Sequence, residues 1–259
     1  MSRLPRVLGA VSLLLLLATP STVSAETVIV DHRNGDPSTI DRSVLDRVRE
    51  KRILFLHHSV GENIVYDGLV PLAASDPVRY GLPVDDNKHT AMAPGLKEFS
   101  VGENDDIPSK VQGFDDAVRG SGYREFGAEA DIAYHKFCFV DIDHTNSEAE
   151  VDGFFDLYVS GIGALNLAYP DCRFLFVTNP LSTHDSGTRN TMRQRFNQQL
   201  RAYVNTHGGV LYDLADLESH DDQGVPQFDD AGAPRMWPGW TYDGGHLNAL
   251  GAERMALAM

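Results

Sequence analysis

The sequence predicts an α/β fold of three layers, in which a mostly parallel five-stranded sheet lies between two layers of helices. Short apolar runs alternate with amphipathic helical stretches from residue 52 to residue 259, as they do in repeated strand–helix–strand units. Most of the apolar runs end in polar residues, which is typical of the carboxyl edge of a parallel sheet. The pattern contains no internal repeat and no low-complexity linker, so we expect residues 26–259 to form a single domain.

The core strands are predicted from apolar or β-branched runs that are bounded by polar or turn-forming residues. They are expected at residues 52–56, 96–101, 131–140, 173–177 and 210–214. A further β-branched run, Thr27–Val30, is expected to be an edge strand or an extended arm.

The helices are predicted from apolar side chains that recur at intervals of three and four residues. They are expected at residues 41–50, 62–70, 108–119, 148–168, 188–206 and 248–259. Pro108 suits the first turn of a helix, and Asn248 is expected to cap the last one. The proline- and glycine-rich residues 71–107 and 218–240 are expected to be loops, apart from the strand at 96–101.

The first 25 residues predict a cleaved export signal. Arg3 and Arg6 precede an apolar run at 7–18, and small residues follow up to Ala25. The apolar run is too short to span a bilayer. We therefore expect cleavage after Ala25 and a protein that is secreted to the periplasm or the extracellular space, without stable membrane association.

The charge of the chain argues against two classes of partner. It carries 22 basic and 37 acidic residues, which gives a formal net charge of −15. A chain this acidic repels phosphate backbones and anionic lipid surfaces, so we expect no nucleic-acid partner.

Two cysteines and a lysine fall inside or beside predicted strands. Cys138 lies late in its strand and Cys172 at the start of the next, which would place them about 15 Å apart in parallel neighbours. That distance is too long for a disulfide, so both are predicted to be buried free thiols. Lys136 is expected to pair with an acid such as Asp131 or Asp141.

The strand at 52–56 is followed directly by His57, His58 and Ser59, and then by Gly61 and a helix. A strand, a tight turn and a helix lift a side chain to the sheet edge at which α/β proteins place their chemistry. A serine at such a turn is either a helix N-cap or a nucleophile. A nucleophilic Ser59 needs a base, an orienting acid and an oxyanion site.

Asp243 and His246 supply the other two members of a candidate catalytic triad. They stand just before the last predicted helix with two residues between them, a spacing that can set the carboxylate against the near side of the imidazole. With Ser59 as nucleophile and His246 as base, the three residues predict acyl transfer to water. That chemistry needs no metal and no organic cofactor.

These residues resemble the motifs of the SGNH hydrolases, also called the GDSL esterase/lipase superfamily. Ser59 lies after the first core strand in a divergent His-His-Ser-Val-Gly block, Gly102 follows the second strand, and Asp243 and His246 precede the final helix. The resemblance covers residues 52–258 and implies a flavodoxin-like fold. It also implies an oxyanion hole that is made by the backbone N–H groups of Ser59 and Gly102 and by a side-chain amide.

The side-chain amide is the point at which the sequence departs from the family pattern. Val140 stands where the oxyanion asparagine is expected, after the third strand. A Gly-x-Asn-Asp sequence occurs one strand earlier, at residues 102–105, so Asn104 is the predicted donor. Asn179, after the fourth strand, is the alternative, and Asn104 as a mere turn or cap residue also stays open.

Three functions compete at this stage. The leading hypothesis is a secreted serine esterase that hydrolyses carboxylic esters, including acetyl esters, of a carbohydrate or a small molecule. The Val140 departure motivates an alternative, a non-catalytic carbohydrate- or cell-wall-binding protein on the same fold. A metal-dependent phosphoesterase using His57, His58 and His246 is disfavoured, because adjacent residues of a strand point to opposite faces.

Overall fold

The computed structural model describes residues 26–143, 145, 147–183 and 189–259, and the predicted export signal lies outside them. The strands in these ranges are β1 (Thr27–Val30), β2 (Arg52–His57), β3 (Val84–Asp85), β4 (Gly95–Ser100), β5 (Ile132–His135), β6 (Arg173–Phe174), β7 (Phe176–Val177) and β8 (Gly209–Tyr212).

The helices cover most of the segments that periodicity predicted. The α-helices are α1 (Arg42–Arg49), α2 (Val60–Glu62), α3 (Val70–Ser75), α4 (Pro77–Tyr80), α5 (Ile107–Arg119), α6 (Phe126–Glu129), α7 (Glu148–Ala168), α8 (Arg189–His207), α9 (Leu214–Glu218) and α10 (Ala249–Ala258). A π-helical segment, Asn63–Leu69, joins α2 to α3, so residues 60–75 run as one continuous helix. Single 3-10 turns lie at Pro37–Thr39, Phe139–Ile142 and Pro238–Trp240.

Every pair of described strands is parallel. The pairs form two hydrogen-bonded groups, with the orders β3-β4-β2-β5-β6 and β1-β8-β7. Only Leu175 separates β6 from β7, and its N–H donates to Ala133 O of β5 at 3.1 Å. The groups therefore meet along one interrupted strand, and the core strands take the spatial order second, first, third, fourth, fifth that defines flavodoxin-like sheets.

The two faces of the sheet are covered by separate helix layers. Ile53 and Phe55 of β2 pack toward the helix at 60–75 and α10, whereas Leu54 and Leu56 pack toward α5, α7 and α8. All four side chains are buried, which is why β2 is apolar throughout rather than alternating. The predicted three-layer α/β/α architecture is thus confirmed.

Some predicted boundaries are wrong. β5 ends at His135 rather than at Val140, because the Asp141 carboxylate accepts from Cys138 N at 2.6 Å and bends the chain into a 3-10 turn. The segment 71–107 is also less irregular than expected. It contains the end of the helix at 60–75, α4 and the edge strand β3, and Asp76 caps α4 by accepting from Arg79 N.

Other local predictions are confirmed. Cys138 and Cys172 are buried and unpaired, and Asn248 caps α10 by accepting from Gly251 N at 3.0 Å. Thr27–Val30 is an edge strand that pairs with β8. None of the described helices combines the length and the apolar content that crossing a bilayer requires.

Candidate active site

The turn after β2 holds Ser59 in a strained backbone conformation. Its φ of 52° and ψ of −101° are rare for a residue with a side chain. Although Ser59 precedes α2, its side chain makes no capping hydrogen bond. Instead its Oγ lies 2.5 Å from Nε2 of His246. The structure therefore holds Ser59 toward an imidazole rather than toward the helix that it begins.

The loop before α10 holds His246 and Asp243 together. His246 Nδ1 lies 2.7 Å from Oδ2 of Asp243, while Oδ1 accepts from the backbone N–H groups of Gly245 and His246. Partial burial opposes ionisation of Asp243, but these donors outweigh it and lower the pKa of Asp243 to about 2. A carboxylate at Nδ1 leaves the Nε2 lone pair of His246 free to accept the Ser59 hydroxyl proton.

Two aromatic rings border the imidazole. The Phe139 ring meets the His246 ring edge-on at 5.5 Å, and the Tyr242 ring lies nearly parallel to it at 6.0 Å. Gly245 permits this approach, because a Cβ there would lie 2.3 Å from the Phe139 ring. Tyr242 is 67% exposed and Phe139 is buried, so one ring supports His246 from inside and the other flanks it at the surface.

A hydrogen-bonded group of His57, Glu98 and Tyr66 lies next to the Ser59 turn. His57 Nε2 is 2.7 Å from Oε2 of Glu98, and Tyr66 donates to the other carboxylate oxygen. Burial lowers the pKa of His57 despite the Glu98 contact, so the ring is neutral and donates to the carboxylate. Gly61 packs on this ring, since a Cβ there would lie 2.3 Å from it. His57 thus supports the turn and is turned away from any site at its surface.

His58 joins the Ser59 turn to the turn after β4. Its Nε2 lies 2.7 Å from the backbone oxygen of Gly102, and the pairing of His57 with Ser100 brings the ends of the two strands side by side. Gly102 has a φ of 68°, and a Cβ there would lie 2.6 Å from Lys110 N. Only glycine fits this close passage without strain. The two histidines have separate partners, which removes the basis for the metal-dependent hypothesis.

Asn104 is held by a buried ion pair. Its Oδ1 accepts from Lys110 Nζ at 3.0 Å, and Lys110 Nζ lies 2.6 and 2.8 Å from the two carboxylate oxygens of Asp141. Asp141 also accepts from the backbone N–H of Asp105 at 2.8 Å. Lys110 and Asp141 are both buried, whereas Asn104 is exposed. With Oδ1 engaged by a cation, the amide keeps Nδ2 as its free donor.

The alternative donor, Asn179, has a different environment. It is fully buried, its Nδ2 donates to Cys138 O at 3.2 Å, and its backbone exchanges two hydrogen bonds with the Asn197 side chain. These contacts describe a structural amide that ties β7 to α8. Val140 is half-buried in the 3-10 turn and offers no side-chain donor. Of the two candidates, Asn104 is thus the exposed one and Asn179 is the buried one.

The predicted pairing of Lys136 with an acid such as Asp131 or Asp141 is wrong. Asp131 bonds to Arg52, and Asp141 bonds to Lys110. Lys136 is buried, its Nζ donates to Phe137 O at 3.0 Å, and burial lowers its pKa.

Sequence reasoning missed three residues that support the site. Lys110 lies three residues after Ile107 and four before Phe114, so it was a charge on the apolar face of a predicted helix. Glu98 was a charge within a predicted core strand. In both cases the sequence signal was a charged residue at a position whose pattern predicts burial, since a buried charge needs a partner. Tyr66 carried no comparable signal, because it lies on the polar side of its helix.

Similarity to known proteins was sought at the level of sequence and of structure. No family model and no curated protein matches the sequence. The fold is similar to that of a Bacteroides fragilis protein assigned as an acylhydrolase, at 16% identity and a TM-score of 0.53, covering 80% of this chain and 83% of that one. It is also similar to a GDSL-like lipase from Bacteroides thetaiotaomicron, at 13% identity and a TM-score of 0.52, covering 80% of this chain and 84% of that one.

A third similar structure, from Parabacteroides merdae, is assigned as a GDSL-like lipase. It is 13% identical with a TM-score of 0.52, and the match covers 81% of this chain and 94% of that one. At identities of this size the likeness concerns the fold, which these proteins share with this chain over most of its length.

Proposed function

We propose that this chain, which has the fold of the SGNH hydrolases, is an exported serine esterase. It hydrolyses short acyl esters, such as acetyl esters, of carbohydrates or small molecules. The observation that carries the proposal is the hydrogen-bonded chain from Ser59 Oγ through His246 to Asp243, at 2.5 and 2.7 Å. A serine that only capped a helix would have no reason to approach a carboxylate-bound imidazole.

In the first half of the reaction, Ser59 Oγ attacks the ester carbonyl carbon while His246 Nε2 takes the hydroxyl proton. Asp243 holds the Nδ1–H tautomer and stabilises the imidazolium that forms. The tetrahedral intermediate then collapses, and His246 returns the proton to the departing alcohol. In the second half, His246 deprotonates a water that attacks the acyl-serine, which releases the carboxylic acid and restores Ser59.

The oxyanion of each intermediate is bound by the backbone N–H groups of Ser59 and Gly102 and by Asn104 Nδ2. Three features support this assignment. The ends of β2 and β4 lie side by side, His58 bonds to Gly102 O at 2.7 Å, and Lys110 engages the opposite end of the Asn104 amide. Such a donor stabilises the transition state by about 3 kcal/mol.

The proposed location and partners follow from the sequence. The leader at residues 1–25 directs export, with cleavage near Ala25, and the acidic chain has no nucleic-acid partner. The net charge of −15 favours neutral or cationic substrates over anionic ones.

The proposal is tested with a chromogenic acetyl ester and the purified chain. We expect hydrolysis that a serine-directed phosphonate blocks by labelling Ser59 and that a chelator leaves unchanged. Ser59→Ala should lower the rate by at least about 10³-fold without loss of the folded state, since the exchange deletes one oxygen. Wild-type-level activity in a folded Ser59→Ala protein would overturn the triad.

The non-catalytic binding protein remains the second candidate, because Val140 removes the side-chain donor from its usual position. It predicts that the wild-type chain hydrolyses none of a panel of acetyl, propionyl and butyryl esters and is not labelled by the phosphonate. The same experiment therefore separates the two functions.

A further inference from the structure

A second group of reactive side chains lies outside the Ser59 site. His32 follows β1, Asp216 lies on α9, and His220 follows α9, four residues after Asp216. We call these three residues the imidazole cluster. A residue four positions further along a helical turn lies on the same face, so Asp216 and His220 both face His32. One atom from each of the three side chains lies within 4.8 Å of the other two.

The distances within the imidazole cluster suit a metal ion. His32 Nδ1 lies 2.5 Å from one carboxylate oxygen of Asp216, and His220 Nδ1 lies 3.8 Å from the other. In a tetrahedral zinc site with bonds of about 2.0–2.1 Å, the ligand atoms are separated by roughly 3.3 Å. The two distances bracket this value. His220 Nδ1 also lies 2.7 Å from the backbone oxygen of Asp216, so binding through this nitrogen requires that hydrogen bond to open.

The chemistry of the side chains also fits a ligand role. The rings of His32 and His220 stack with their centroids 3.6 Å apart and an angle of 14° between their planes. The neutral imidazole is the form that binds metals, and imidazole with carboxylate suits zinc, nickel or cobalt better than calcium or magnesium.

The surroundings favour a cation and allow it to enter. All three side chains are partly exposed, at 25%, 23% and 13% for His32, Asp216 and His220. His32 and His220 line a cavity of about 450 Å³ that Asp36, Asp221 and Asp222 also line, together with a single cation, Arg254. The carboxylates that line the cavity therefore outnumber its one guanidinium.

The backbone around the imidazole cluster is already anchored. Arg254 donates to His32 O at 3.0 Å, and Trp240 Nε1 donates to His220 O at 2.8 Å. A site whose ligands are held in place loses less conformational entropy when the ion binds.

We propose that His32, Asp216 and His220 bind one divalent transition-metal ion, of which zinc is the representative. The ion replaces the proton between His32 Nδ1 and Asp216, which is released to water. The proton that His220 Nδ1 donates to the Asp216 backbone oxygen moves to Nε2 of the same ring, which frees Nδ1 for the ion. The ion joins the segment after β1 to α9, which are 184 residues apart in the sequence. Its role is structural, because the cluster shares no residue with the Ser59 site.

The test is a calorimetric titration of the chelator-treated, buffer-exchanged full chain with zinc sulfate. We expect one ion per chain and micromolar or tighter affinity. His32→Ala and His220→Ala should each weaken binding by at least about tenfold. Zinc at about a hundred times the wild-type Kd should raise the wild-type unfolding temperature by roughly 5–10 °C and that of each variant by at most about half as much.

Two controls separate this site from other histidines. His207→Ala removes an exposed imidazole at the end of α8 and should bind zinc like the wild type. His246→Ala removes the base of the proposed esterase and should also retain the stoichiometry. Cobalt absorption in the visible range reports the geometry independently, and circular dichroism verifies that each variant is folded.

The proposal fails if the wild type binds no zinc. It also fails if both His32→Ala and His220→Ala retain full affinity, or if His246→Ala alone abolishes binding. Because esterase activity is not the readout, failure of the metal site and failure of the proposed esterase are distinguishable.

Discussion

Replacing Asn104 by Asp is the sharpest test of the oxyanion site. The exchange keeps Oδ1, which accepts from Lys110 Nζ at 3.0 Å. It changes Nδ2 from a donor into an acceptor and adds one negative charge beside Lys110. Because Asn104 is exposed and Lys110 remains paired with Asp141, we expect the free energy of unfolding to change by less than about 1 kcal/mol. The main effect is therefore expected at the group that would face the substrate.

The expected loss of activity follows from the number of donors removed. One side-chain donor to an oxyanion contributes about 10²–10³-fold to kcat, and Asn104→Ala should show this loss with little change in KM, since the bond strengthens mainly in the transition state. Asn104→Asp should lose at least as much, because a second carboxylate oxygen now faces the developing negative charge. Steady-state hydrolysis of a chromogenic acetyl ester measures both constants.

Asn179→Ala is the matched control. It removes a buried amide that bonds to Cys138 O at 3.2 Å, so we expect lower stability, by about 1–3 kcal/mol, and a nearly unchanged kcat for the folded protein. If both Asn104 variants keep kcat within about threefold of the wild type, Asn104 is only a turn residue. A catalytic loss confined to Asn179→Ala would move the donor to the fourth core strand.

The remaining predictions concern stability and processing. Gly61→Ala should destabilise the protein by about 1–3 kcal/mol in urea titrations, because its Cβ would lie 2.3 Å from the His57 ring. Gly153→Ala on α7, where a Cβ meets open space, should be neutral or stabilise the protein by up to about 1 kcal/mol. Equal losses of stability at both glycines would contradict the packing argument. Burial raises the pKa of Glu218 from 4.5 to about 8. Between these pH values the folded state keeps a proton that the unfolded chain releases. The free energy of unfolding should therefore fall as the pH rises from 4.5 to about 8, by on the order of 1 kcal/mol per pH unit. Glu218→Gln should flatten this slope, and an unchanged slope would show that the carboxyl group does not titrate there. N-terminal sequencing of the exported protein should begin at Glu26, and a retained leader would show the signal prediction to be wrong.

Local signals in the sequence were sufficient for the element types and for three site candidates. Strands and helices can be predicted from the periodicity of apolar residues, because burying one face of a helix or both faces of a parallel strand determines where those residues recur. Ser59 was identifiable from the strand–turn–helix around it. Asp243 and His246 were identifiable because a separation of three residues already brings a carboxylate within reach of an imidazole, whatever the rest of the chain does.

The partners of buried charges and amides were decided only by the tertiary structure. Asn104 and Asn179 both follow core strands, and only packing shows that one is exposed beside Lys110 and the other is enclosed by α8. The predicted pairing of Lys136 with Asp141 was wrong, because Asp141 forms its ion pair with Lys110 of α5.

The imidazole cluster illustrates the same limit at longer range. His32 and Asp216 are separated by 184 residues, and no spacing rule connects residues that far apart. They meet because β1 pairs with β8 at the edge of the sheet, which brings the segment after β1 beside α9. Local patterns determine which residues form strands and helices, but hydrogen bonds and ion pairs act over a few ångströms. Which side chains come that close is therefore decided by the way the strands assemble.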